Sequence, residues 1–128
     1  CVLIHYETLR LVSCWMPRIS LPPRQRIVVV ILGAYLGHVA EIVLFACGFF
    51  ALTHVFGLQA THPAAGALPL DYALYYSIES FTSLGSSSTF PLGPLRLFAG
   101  AEGVIGLLLI GWTTSFTYLA MREHWDMH

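Results

Sequence analysis

The sequence predicts an all-α protein whose solvent is a lipid bilayer, and three observations carry that expectation. Hydrophobic residues make up 56% of the chain and charged residues 10%, against about 25% charged in an ordinary soluble domain. Residues 27–56 and 95–121 are two apolar stretches, each longer than the ~20 residues needed to cross a hydrocarbon core of about 30 Å. Between them lies a segment too short and too polar to span, Ser77-Ile78-Glu79-Ser80-Phe81-Thr82-Ser83-Leu84-Gly85-Ser86-Ser87-Ser88.

Residues 1–16 come first and are mostly apolar, but they include His5, Glu7 and Arg10. They read either as the cytoplasmic end of a span that starts upstream or as an amphipathic helix on the membrane surface. The chain opens on Cys1 without a methionine, as a fragment or a processed chain would. Pro17, Pro22 and Pro23 mark a connector over residues 17–26. Arg18, Arg24 and Arg26 crowd that connector, whereas residues 57–94 contain no Arg or Lys. Positive charge stays cytoplasmic, so residues 17–26 and the tail 122–128 are expected inside a cell membrane and residues 57–70 outside it.

The outer helix is expected over 27–56 and a turret rich in small residues over 57–70. Asp71 reads as the N-cap of a short helix running to Ser83. At about 12 residues that helix is right for a re-entrant excursion. The filter and return loop follow over 84–94, and the inner helix over 95–121.

Non-helical backbone survives at membrane depth only where protein buries it or where it lines a water-filled path. A short helix ending in a Ser/Thr/Gly turn between two spans therefore reads as the wall of a conduit. The C-terminal end of such a helix carries about half a negative charge and favours a cation. Carbonyls of Ser83, Leu84, Gly85 and Ser86 can replace part of an ion's hydration shell. Hydroxyls of Thr82, Ser83, Ser86, Ser87, Ser88 and Thr89 add neutral oxygens.

Other chemistries find less support. The net charge of -1 gives no reason to expect nucleic acid. Cys1, Cys14 and Cys47 read as buried thiols, and the six histidines show no metal-like spacing. No cofactor is expected beyond a permeant ion. Gly85-Ser86-Ser87 near a membrane histidine suggests an intramembrane serine protease, but two full spans offer little scaffold to bring a base within reach. The chain is therefore not expected to be an enzyme.

Residues 27–121 resemble the two-transmembrane pore module of the potassium-channel superfamily. Asp71-Tyr72-Ala73-Leu74-Tyr75-Tyr76-Ser77-Ile78-Glu79-Ser80-Phe81-Thr82 is similar to the family's pore helix, Thr82-Ser83-Leu84-Gly85 to the start of its filter, and Phe90-Pro91 to the step after it. The resemblance implies a homotetramer in the bilayer. It further implies a monovalent cation, K+ or Na+, at Ser83, Leu84 and Gly85, and a gating hinge at Gly106. Leu107, Ile110 and Thr114, by their spacing after Gly106, are then expected to line the inner cavity.

The departure lies at the centre. Where the family reads T-V-G-Y-G-D, this chain reads Ser83-Leu84-Gly85-Ser86-Ser87-Ser88. The bracing aromatic, the second glycine and the following acid are all serines. Weakened potassium selectivity is therefore expected, with a non-conducting structural or regulatory subunit as the alternative.

Carboxylates sit where they are costly. At 1.5 Å per residue, Glu41 lies about 21 Å from the cytoplasmic end of its span and Glu102 about 10 Å from the outer end of the other. Glu79, late in the short helix, is expected near the same level, and His38 shares a face with Glu41. Glu79, Glu41, His38 and Glu102 are thus expected either to form a polar belt supporting the filter or to be hydrogen-bonded individually. Gly33-x-x-x-Gly37 permits a close helix contact.

Overall fold

A computed structural model describes residues 1–18, 20, 22–58, 69–85 and 93–125. Every regular element among them is helical: α1 (Val2–Trp15), a 3-10 turn (Met16–Arg18), α2 (Pro23–His54), α3 (Leu70–Phe81) and α4 (Pro94–Trp125). Two helices, over Arg24–His54 and Pro94–Arg122, are long and apolar enough to span a bilayer.

Pro17 lies just past the end of α1, but two other prolines open helices. Pro23 and Pro94 stand at the first positions of α2 and α4, where the missing N–H would lack an intrahelical partner anyway. Arg24 and Arg26 consequently lie in the first turn of α2, not in a connector as expected, and the amides of Gln25 and Arg26 donate to Pro22 O. The N-cap of α3 also differs from expectation. Pro69 occupies that position with φ -59° and ψ 154°, and no side chain caps the helix. Asp71 sits instead in the first turn, where its charge favours the positive end of the helix dipole.

The described chain divides into two compact units, Cys1–Glu41 with Leu109–His128, and Ile42–Leu108. In the first unit α1 packs on α2 through the glycines of Gly33-x-x-x-Gly37. A Cβ on Gly33 would press on the Val12 side chain and one on Gly37 on Thr8, so each glycine receives a residue one turn apart on α1.

In the second unit Phe49, Ala73 and Leu95 form a buried cluster from α2, α3 and α4. Phe49 meets Tyr76 and Phe98 edge-to-face, with ring centroids 5.0 and 4.8 Å apart, an arrangement aromatic quadrupoles favour. Gly48 leaves room for the Phe98 ring.

Apolar side chains cover the outside as well as fill the core, and several polar ones are inside. Leu32, Leu36, Val104, Leu107 and Leu108 are each more than half exposed, whereas His5, Glu41, Thr53, Ser77 and Glu102 are buried. Ionisable side chains in spans face the protein interior because hydrocarbon cannot solvate them, and an apolar exterior is satisfied by lipid tails.

Candidate functional site: the end of the short helix

The short helix α3 buries one face, Ala73, Ser77 and Phe81, at i, i+4 and i+8. Its last turn closes on itself. The amide of Ser83 donates to Ser80 O and that of Leu84 to Glu79 O, both at 3.1 Å. This pair of bonds forms a Schellman cap, and it needs a left-handed residue at its centre. That residue is Ser83, the one non-glycine with positive φ (56°) among the described residues. Thr82 adds a bond from its Oγ1 to Ile78 O at 2.7 Å. The carbonyls of residues 78–80 are thereby occupied. Beyond them Thr82, Ser83, Leu84 and Gly85 are exposed, and Gly85 is left-handed at φ 71°.

A non-glycine residue in this region costs about 1–2 kcal/mol. Ser83→Gly is therefore expected to raise stability by up to about 1 kcal/mol, after the extra chain entropy of glycine. Ser83→Val is expected to lower it. Thermal midpoints in detergent check both, and a loss of stability in Ser83→Gly contradicts the left-handed cap.

The inner helix meets this end of α3 backbone to backbone. A Cβ on Gly106 would overlap the Phe81 carbonyl, and one on Gly103 would lie 3.2 Å from Ser80 O. Gly106, expected as a hinge, is thus a point of close approach. One turn before Gly106, Glu102 is fully buried and bonded to Ser77, whose Oγ also lies 2.9 Å from Ile42 O. A serine has one hydrogen to give, so a carboxyl group that supplies its own hydrogen satisfies both contacts. Glu79 Oε2 is buried and lacks a hydrogen bond among the described residues.

Glu41 and His38 have different company. Both lie in the first unit, where Glu41 is fully buried beside His38 and His5, with Thr113 bridging the two imidazoles. The residues around them are His5 of α1 and Thr113 of α4. Of the expected cavity residues, Leu107 and Thr114 are exposed and Ile110 is half-buried. Thr114 spends its hydroxyl on Ile110 O. Ser86, Ser87, Ser88 and Phe90-Pro91 lie outside the described residues.

A family model described as an ion channel matches residues 27–123. The chain belongs to this pore-loop ion-channel family. No curated protein and no solved structure matches the channel significantly. The matched range holds both apolar helices, α3 and the turn after it, while α1 lies before it.

Sequence reasoning missed Ser77, Gly103, His5 and Thr113. Ser77 is detectable as a small polar residue on the Ala73–Phe81 face. Gly103 is detectable by its i, i+3 spacing from Gly106. His5 joins Leu9 and Val12 at helical spacing, a pattern that marks a packed face. Thr113 neighbours the chosen Thr114 and points about 100° away from it around the helix.

Proposed function

We propose that four copies of this channel assemble around one axis, with residues 80–88 of each chain facing a shared path for monovalent cations across the cell membrane. The observation that carries the reading is the exposed, non-helical turn Thr82–Gly85 after a 12-residue helix that cannot span. Irregular backbone between two spans needs neighbours or water to satisfy it, and one such loop cannot enclose a path alone.

Carbonyls of Ser83, Leu84 and Gly85 coordinate the ion in this reading, and Glu79 supports them from behind. Glu41, His38 and Glu102 act at a distance from the ion, as helix-packing groups. Gly106 retains the role of a pivot, and Leu107, Ile110 and Thr114 that of cavity lining. The segments 17–26 and 122–128 are cytoplasmic. Selectivity for potassium over sodium is weak because Ser86 and Ser87 replace the bracing aromatic and the permissive glycine. Conduction in this reading needs no catalytic step and no cofactor.

Cation flux into liposomes reconstituted with the purified chain, together with its native mass, tests this. Tetramers that pass both sodium and potassium are expected. Exchange of Ser86-Ser87-Ser88 for Tyr-Gly-Asp is expected to shift reversal potentials toward potassium. Monomers, or tetramers that carry no ion, overturn the conduit, the latter leaving a structural subunit.

A further inference from the structure

The first unit contains a buried polar cluster that ion conduction does not use. His5 comes from α1, His38 and Glu41 from α2, and Thr113 from α4. One ligating atom from each of His5, His38 and Glu41 can be chosen so that all lie within 4.8 Å of one another. His5 Nδ1 is 3.2 Å from Glu41 Oε1, and His38 Nδ1 is 3.1 Å from Glu41 Oε2. The far nitrogens converge as well, with His5 Nε2 3.2 Å and His38 Nε2 2.9 Å from Thr113 Oγ1.

We infer that His5, His38 and Glu41 bind a divalent transition-metal ion of the zinc class, through the two Nδ1 atoms and the carboxylate. The state of one buried pair points to a ligand. His5 and Glu41 are 1% and 0% exposed, yet His5 Nδ1 and Glu41 Oε1 have no hydrogen bond among the described residues. Their separation is that of an ion pair without the alignment of a hydrogen bond.

The available hydrogens are taken elsewhere. With both imidazoles neutral and the carboxylate charged, the three hydrogens of the two rings and Thr113 serve the His38–Glu41 contact and the two contacts to Thr113. His5 Nδ1 and Glu41 Oε1 then face each other with lone pairs alone, and a cation is bound by both. With the ion on both Nδ1 atoms, each imidazole carries its hydrogen on Nε2 and donates to Thr113 Oγ1, which has two lone pairs to accept them. Metal-bound histidines are held in this way by an outer partner on the other ring nitrogen.

Ligand type and spacing agree with the choice of ion. Two imidazole nitrogens and one carboxylate form a donor set that zinc uses, with bonds of about 2.0–2.2 Å. The edge of a tetrahedron with such bonds is about 3.3 Å; His5 Nδ1 stands near that distance from Glu41 Oε1 and His38 Nδ1 from Oε2, so closing the set on one oxygen takes a turn of the carboxylate. A hydroxide in the fourth position makes the ion and its ligands neutral, as a membrane interior requires. Ligands from α1 and α2 and the outer partner from α4 mean that the ion pins three helices of the first unit.

The test is metal binding by the purified, chelator-stripped chain in detergent, and it does not depend on whether the channel conducts. Titration with cobalt is expected to give the visible bands of four-coordinate Co2+ at one ion per chain, displaced by zinc, and zinc is expected to raise the thermal midpoint. His5→Gln and Glu41→Gln are expected to abolish the bands and the zinc-dependent rise, and Thr113→Val to weaken binding about 10- to 100-fold. His54→Ala, which removes an exposed ring stacked on Phe50, is expected to bind as the parent does.

A cluster held together by a shared proton shows no bands and the same midpoint with and without zinc, and that result overturns the site. Equal binding by folded Glu41→Gln overturns it too. Should the variants lose their helical signal, presence or absence of the bands in the parent chain decides.

Discussion

Gly106→Ala is expected to break the contact between α3 and α4. A single methyl there meets the carbonyl group and Cα of Phe81, and backbone atoms have no rotamer to change. Overpacking commonly costs about 1–3 kcal/mol, and with no side chain able to yield, the cost is expected at the upper end or above. Gly100→Ala is the control, because its methyl meets nothing within 4 Å. Thermal unfolding by circular dichroism in detergent, with size exclusion to follow assembly, separates the two. Equal stability of both variants contradicts the close approach at Gly106.

The second large effect is expected at Glu102, which is buried and bonded to Ser77. Glu102→Ala opens a cavity and withdraws a partner from a buried hydroxyl. The unmade hydrogen bond alone costs about 1–3 kcal/mol, and the cavity adds to it. Glu102→Gln keeps the volume and supplies an N–H in place of the carboxyl hydrogen, so it is expected to retain most of the stability. If Gln and Ala prove equally damaging, the bond to Ser77 is not what holds the carboxyl. Double substitution with Ser77→Ala measures the coupling directly.

Much of the fold was legible because membrane spans and re-entrant helices announce themselves by length and polarity. The two long helices and the short one between them follow from the bilayer's thickness and from the cost of unpaired backbone in lipid. Helix starts were less legible. Proline reads as a stop in the middle of a helix and as a start at its first position, and Pro23 and Pro94 take the second role.

The acids illustrate a different gap. Depth along a helix placed Glu41 and Glu102 at one level, but depth does not say which way a side chain faces. Rotation about the helix axis gave Glu41 to His5 and His38, and Glu102 to Ser77. His5 was hidden for a similar reason, since an ionisable residue in an apolar helix counts against a span until a partner for it is known. The left-handed Ser83 has no sequence signal of its own, because glycine is the residue that normally announces such a turn.

Where α4 passes the end of α3, Gly106 leaves no side chain between the two main chains. Side chains act as cushions in most helix contacts, because they change rotamer and absorb small displacements before the backbone moves. This contact has no such slack. A slide or roll of α4 by a fraction of an ångström at Gly106 presses directly on the Phe81 carbonyl, one peptide before Thr82. The turn through Ser83 to Gly85 is therefore geared to the position of the inner helix like a rack to a pinion, with no play in the teeth.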